Sequence, residues 1–282
     1  RDLILFGEQG VSVGGNAILR VDSADNHQQA LVLQGGNGLV DLAASATLDL
    51  SHGLDLILPA ALATDVNQRV RIDATDRLDN GGGEGLSLFL STEVEASRGT
   101  ANDIDQYLDA SMLAAEQALA SDYISLLDAG PLPVSVRPRL DLFSGGDLTV
   151  GAVGQPLDLF GFKGTDGRPG QLVLRSGGQM QVAGGISDGI RKLVSVFDAS
   201  SGDYTFSYGD SINSSGPGTP VLSGTDSADI SLTAGAFTDS ASAVVDPFND
   251  ARLTLERDAF LRTGTGDLQL AAAGAAAAGL AC

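Results

Sequence analysis

Leu172-Val173-Leu174-Arg175-Ser176-Gly177-Gly178-Gln179-Met180-Gln181-Val182 holds two short apolar alternations on either side of Ser-Gly-Gly. Alternate residues of a strand point to the same side, so Leu172, Leu174, Met180 and Val182 form one apolar set, and the glycines supply the corner. An antiparallel hairpin and one bent coil of a solenoid both accommodate this run. The unit Gly-polar-apolar-polar-apolar then recurs, as Gly146-Asp147-Leu148-Thr149-Val150, Gly178-Gln179-Met180-Gln181-Val182 and Gly266-Asp267-Leu268-Gln269-Leu270. Recurrence at coil-sized spacing favours stacked coils. On that reading Leu148, Leu172, Leu174, Met180, Leu268 and Leu270 face one interior.

The same alternation runs through the rest of the chain in pieces of three to five residues, among them Leu3-Ile4-Leu5, Leu31-Val32-Leu33, Thr47-Leu48-Asp49-Leu50, Val70-Arg71-Ile72, Leu86-Ser87-Leu88-Phe89-Leu90 and Leu253-Thr254-Leu255. Gly, Asn and Asp separate these pieces. Strands so short need stacking to be stable. The fold class read from this is all-β, a parallel β-helix or solenoid.

Two segments leave the pattern. Ile104, Leu108, Met112, Ala115, Leu119, Tyr123 and Leu126 recur at spacings of four and three, which predicts a helix over 103–128 with Asp103 and Gln106 as a capping box and Gly130-Pro131 as its stop. Residues 200–219 are rich in Ser, Gly, Asp and Pro and read as an exposed loop. The expected organisation is therefore β-solenoid coils over 1–102, a helical insertion over 103–130, and further coils over 131–282 carrying that loop.

Composition narrows the function. Sixteen basic against thirty-six acidic residues give a net charge of −20, with Lys163 and Lys192 the only lysines. A nucleic-acid binder needs a basic footprint, so that class is excluded, and heparin-like polyanions are disfavoured as partners. The lone cysteine, Cys282, excludes an intrachain disulfide. The small-apolar stretch from Leu270 to Cys282 is too short for the ~20 residues of a membrane span. No basic-then-apolar leader stands at Arg1, and both ends read as cuts within a longer polypeptide.

From Val136 to Gly189 the chain carries Arg137-Pro138-Arg139-Leu140, Ser144-Gly145-Gly146-Asp147-Leu148-Thr149-Val150, Arg168-Pro169-Gly170-Gln171-Leu172-Val173-Leu174-Arg175 and Gly184-Gly185-Ile186-Ser187-Asp188-Gly189. Further on come Ser231-Leu232-Thr233-Ala234-Gly235-Ala236 and Arg262-Thr263-Gly264-Thr265-Gly266-Asp267-Leu268-Gln269-Leu270-Ala271-Ala272. In this order the runs resemble the filamentous haemagglutinin family of bacterial surface exoproteins, over about half the chain. Arg139 stands where that family has a glycine, and Ile190 where it has an aromatic residue. The resemblance implies a right-handed parallel β-helix with no cofactor. It also implies two-partner secretion through an outer-membrane translocator, and an adhesin-like structural role at the bacterial cell surface, with host-cell or bacterial surface glycans or proteins as partners.

Chemistry finds few footholds. Gly185-Ile186-Ser187-Asp188-Gly189 matches the G-x-S-x-G elbow, but that fold places its histidine after the serine, and His27 and His52 both precede it. Ser-Asp-Gly reads instead as a turn between coils, with Asp188 bonding local backbone. The two histidines lack the convergent ligands of a metal site. Gly82-Gly83-Glu84-Gly85-Leu86-Ser87-Leu88 and Gly35-Gly36-Asn37-Gly38-Leu39-Val40-Asp41 resemble fragments of the calcium nonapeptide repeat, which keeps a calcium-dependent repeat module as an alternative. A β-helical polysaccharide lyase or hydrolase is the enzymatic alternative, with no carboxylate pair marked out. The chain is read as no enzyme, without catalytic, cofactor or metal residues. The aspartates are read as turn caps that keep a repetitive sheet soluble.

Overall fold

The computed structural model describes residues 3–7, 11–13, 18–21, 31–35, 40–42, 47–50, 54–59, 70–72, 78–79, 86–95, 100–101, 104–120, 134–153, 156–198, 200–208, 219–222, 226–237, 245–274 and 276–278. It is mostly β, with parallel sheets and one helix. The chain divides into two units. The first comprises Arg1–Glu93, Tyr107–Leu140 and Gly164–Arg168; the second comprises Val94–Gln106, Asp141–Lys163 and Pro169–Cys282.

In the first unit the strands come in threes: β1 (Leu3–Gly7), β2 (Val11–Val13) and β3 (Ile18–Val21), then β4 (Leu31–Gly35), β5 (Val40–Leu42) and β6 (Thr47–Leu50), then β7 (Leu54–Pro59), β8 (Val70–Ile72) and β9 (Leu78–Asp79), followed by β10 (Leu86–Glu95). Successive strands join three sheets in rotation: β1-β4-β7-β10, β2-β5-β8 and β3-β6-β9. Every one of these pairings is parallel, and two leucine files run through the first sheet. Leu3, Leu31, Leu54 and Leu86 form one file, and Leu5, Leu33, Leu56 and Leu88 the next. Leu33 is fully buried. Phe89 belongs to the opposite face of its strand and is buried too, under the Arg137 guanidinium 4.4 Å from its ring centroid.

The second unit repeats the rotation. The later residues of β12 (Val134–Ser144) lead into β13 (Leu148–Val150) and β14 (Pro156–Asp158). Then come β15 (Gln171–Ser176), β16 (Met180–Val182) and β17 (Gly185–Ser187), and after an excursion β21 (Asp229–Ala234), β22 (Leu253–Leu255) and β23 (Phe260–Arg262). The last two strands are β24 (Leu268–Ala272) and β25 (Ala276–Ala278). The sheets are β12-β15-β21-β24, β13-β16-β22-β25 with the short β11 (Thr100–Ala101) beside β13, and β14-β17-β23. The Leu172–Val182 run is thus no hairpin: β15 pairs with β21 and β16 with β13 and β22, all parallel.

Register again builds apolar files. Leu148, Met180 and Leu253 are opposite one another, as are Leu172 with Ile230 and Leu174 with Leu232, and all of these are fully buried or within one per cent of it. Burying a leucine completely stabilises a fold by about 1.5–3 kcal/mol, so each file is a substantial share of the core. Four of the six residues expected to face the interior do so. Leu268 and Leu270 stand correctly opposite Ile230 and Leu232 but are 41% and 44% exposed. β24 is the last strand of its sheet among the described residues, and no described file member covers them.

The repeated glycine has a different reason from the one expected. None of Gly146, Gly178 and Gly266 has a positive φ; a Cβ on Gly266 would lie 2.2 Å from the Ala228 carbonyl oxygen, whereas one on Gly146 would meet nothing. Close approach of adjacent strand entries, not turn conformation, requires glycine at 266.

The helix α1 spans Ile104–Ala120. It stands in the chain between β11 and β12, where the rotation would place a third-sheet strand. Ile104, Leu108 and Ala115 of the expected stripe are buried, and Met112 is half-buried. Ser111 completes the buried stripe because its hydroxyl donates to the Tyr107 carbonyl, 2.9 Å away. Asp103, Tyr123 and Leu126 lie outside the described residues, as does the side chain of Leu119.

Leu174→Asp should lower the unfolding free energy by at least ~3 kcal/mol, since it leaves a charge unpaired in a closed file. Leu270→Asp, at the uncovered end, should cost well under half as much. Urea titrations of the two variants test this; equal losses would show that the files do not carry the stability.

Candidate functional site

Ser187 ends β17, and the chain turns at Asp188-Gly189 with φ at Gly189 of +69°, a conformation that favours glycine. A Cβ there would also strike the Ser227 hydroxyl at 2.5 Å. Asp188 is buried. One carboxylate oxygen accepts from the Gly189 N–H at 2.6 Å, as the turn reading expects, and the other accepts from the N–H of Ala228 in the next layer. Burial pushes the Asp188 carboxyl above its ordinary value of 3.8; the Ala228 and Gly189 N–H groups and Lys163 pull it back, and Asp158 raises it.

This bond to the next layer is a recurring device. Asp147 Oδ1 accepts from the Gln179 N–H at 2.8 Å, and Asp229 Oδ1 from the Asp267 N–H at 2.9 Å. Asn249 works the other way, donating its amide to the Gly177 carbonyl at 2.7 Å. Corner aspartates therefore do more than cap their own turns; they tie successive layers in register.

Ser187 is not placed as a nucleophile. Its side chain is 1% exposed, its Oγ has no hydrogen-bond partner, and a strand follows it where the elbow needs a helix. His27 and His52 lie outside the described residues, as do Gly82–Gly85 and residues 36–39 of the two glycine-rich runs. Among the described residues no three His, Cys, Asp or Glu side chains are grouped to hold a metal ion, and no helix is long and apolar enough to cross a membrane.

On the first sheet's other face, opposite its leucine files, Asp141 and Arg175 form a buried pair. Asp141 Oδ1 accepts from Arg175 Nε at 2.9 Å and lies 2.8 Å from Nη2, with Phe143 5.3 Å from the guanidinium. Nothing in the sequence pattern separates this arginine from solvated ones. Its burial follows from cover on both faces of the sheet.

Val196, Phe197 and Tyr204, three exposed apolar side chains of the second unit, lie together on the excursion between β17 and β21, whereas Val153 and Phe248 are exposed singly elsewhere. β18 (Ile190–Asp198) pairs antiparallel with β19 (Asp203–Tyr208) and β20 (Thr219–Leu222). The expected loop over 200–219 is thus partly strand: Tyr204-Thr205-Phe206-Ser207-Tyr208 carries the aromatic and β-branched alternation of a strand, masked by its Ser/Gly/Asp surroundings. Residues 209–218 lie outside the described residues. At the hairpin end Phe197 stands opposite Tyr204, ring centroids 5.1 Å apart, both more than half exposed, beside exposed Val196. Asp198 and Asp203 flank them, and hydrogen bonds from Ser200 and Ser201 hold the Asp198 carboxyl below its ordinary value.

The raised Asp188 fixes a sign. The folded chain holds that proton more tightly than the unfolded chain, so the contribution is fully present below about pH 3.8 and lost as pH rises through the folded value. Asp188→Asn removes the titration while keeping an acceptor oxygen. Wild-type stability relative to this variant should fall as pH rises above about 4, read from urea unfolding at several pH values; a constant or rising difference refutes the assignment.

No family model, no curated protein and no solved structure matches this chain.

Proposed function

We propose that the chain is a right-handed parallel β-helix and serves as a structural, adhesive segment of a large bacterial surface exoprotein of the filamentous haemagglutinin type, exported through an outer-membrane translocator. The observation that carries this reading is the rotation of successive strands through three sheets with apolar residues aligned in files, such as Leu3, Leu31 and Leu54 or Leu174 and Leu232. A parallel strand that must return to the same sheet after two others winds in one sense, and that sense is right-handed in nearly all parallel crossovers. Such a fold extends by adding layers and tolerates excursions between them.

The excursion supplies the contact surface in this reading. Val196, Phe197 and Tyr204 project apolar and aromatic area beside ionised Asp198. Aromatic faces next to acceptor oxygens suit neutral glycans or basic protein segments, and the net charge of −20 steers toward the same partners.

The test is to immobilise the chain and challenge it with host cells, bacterial cells and neutral glycan arrays. Adhesion is expected, and Phe197→Ser with Tyr204→Ser should abolish most of it. The melting temperature should move little, because exposed changes of this kind cost about 0.5 kcal/mol or less each. No adhesion by the intact chain, or turnover of a polysaccharide, would overturn the reading.

A further inference from the structure

The ends of β14, β17 and β23 carry three cations, Lys163, Arg191 and Arg262, beside two carboxylates, Asp158 and Asp188. The Arg191 guanidinium lies 4.0 Å, and the Lys163 ammonium 4.8 Å, from the centroid of the same ring, Phe160. On β23, beyond β17 in the same sheet, the Arg262 guanidinium lies 4.7 Å from the Phe260 centroid, and Phe260 lies against Gly185, where a Cβ would meet the ring at 2.8 Å. Arg262 stands opposite Ser187, and Ser187 opposite Asp158, so these three share one face of the sheet.

None of Lys163, Arg191 and Arg262 makes an ion pair among the described residues. Arg191 Nε is buried with no hydrogen-bond partner, and so is Ser187 Oγ on a residue 1% exposed. Lys163 Nζ reaches only the Asp226 backbone carbonyl, at 3.5 Å. The nearby acids are already used: Asp158 Oδ1 accepts from the Phe160 N–H at 3.0 Å, and Asp188 accepts from Gly189 and Ala228. A dry, unpaired guanidinium N–H is unfavourable. Asp188 feels the Lys163 charge, but three cations stand against two carboxylates here and none of the three is in a contact ion pair, which leaves a place for a negative partner from outside.

We propose that this cluster binds one oxyanion: inorganic sulfate or phosphate, a sulfate ester, or the carboxylate of an acidic sugar. Arg191 supplies planar paired donors, Lys163 a point charge, and Arg262 a second guanidinium from β23. Cations already lie over Phe160 and Phe260, so the site reads the charged group of its ligand. The net charge of −20 opposes a long polyanion, but screening over about 8 Å at physiological salt lets the local cations dominate for a single small anion.

The test follows the arginine side-chain Nε–H signals of the intact chain by NMR during titration with sodium sulfate, sodium phosphate and sodium glucuronate, each against sodium chloride at equal ionic strength. Saturable movement of the Arg191 signal with at least one probe is expected, and which probe acts best separates sulfate, phosphate and carboxylate sources. Arg191→Gln and Lys163→Met should each weaken the binding about tenfold, whereas Arg168→Gln, which removes an exposed arginine paired with Asp166, should not. Melting curves without added anion confirm that each variant is folded. No saturable response to any probe, or unchanged affinity in both folded cluster variants, would overturn the proposal. The outcome is independent of whether the chain adheres to cells.

Discussion

Everything in this chain hangs on parallel register between layers. A strand of three residues such as β16 cannot hold itself, and its Met180 and Val182 are buried only because Leu148 and Val150 lie on one side and Leu253 and Leu255 on the other. A slip of one residue would turn each apolar file outward. The corner bonds prevent that slip. Asp147 to Gln179, Asp188 to Ala228 and Asp229 to Asp267 each join a carboxylate to a backbone N–H one layer on, so the alignment of one strand entry sets that of the next.

The same constraint explains where departures are permitted. Both α1 and the β18–β20 sheet leave the chain between two strands of the rotation and return it at the next. Neither needs to alter register within a sheet, since each replaces or lengthens a connection. A helix in that position must still bury its own stripe, which is why Ile104, Leu108 and Ala115 are covered and why Ser111 satisfies its hydroxyl within the helix. The antiparallel excursion has no such obligation at its end, and Phe197 and Tyr204 remain exposed there.

How much of this was legible in the sequence follows from how local each signal is. The Gly-Asp-Leu units and the helical stripe are local, and they led to the buried files and to α1. The exposure of Leu268 was not, because its pattern equals that of Leu148 and only its place at the end of a sheet differs. The strand at 203–208 was obscured by the Ser, Gly and Asp around it. Ser187 shows the converse: its G-x-S-x-G neighbourhood looks catalytic, while its burial at a strand end is a property of the layers above and below. The cation cluster was wholly illegible. Phe160, Lys163, Ser187, Arg191 and Arg262 belong to different layers, and only stacking brings them to one edge.

Charge ties these points together. Acid at the corners serves register, and the excess of it repels other chains and polyanions alike. A carboxylate whose oxygens are aimed at backbone N–H groups keeps its charge, but it makes no contact ion pair with a cation beside it. Asp158 and Asp188 are both engaged in this way, and Lys163, Arg191 and Arg262 are left beside them without ion partners. Aromatic rings hold those cations in place, yet a ring's quadrupole offsets only part of what a guanidinium loses on leaving water. Carboxylates aimed at backbone N–H groups, in the turn at Asp158 and between layers at Asp188, thus stand beside cations they do not pair with, and that edge is where the described surface runs against the overall charge.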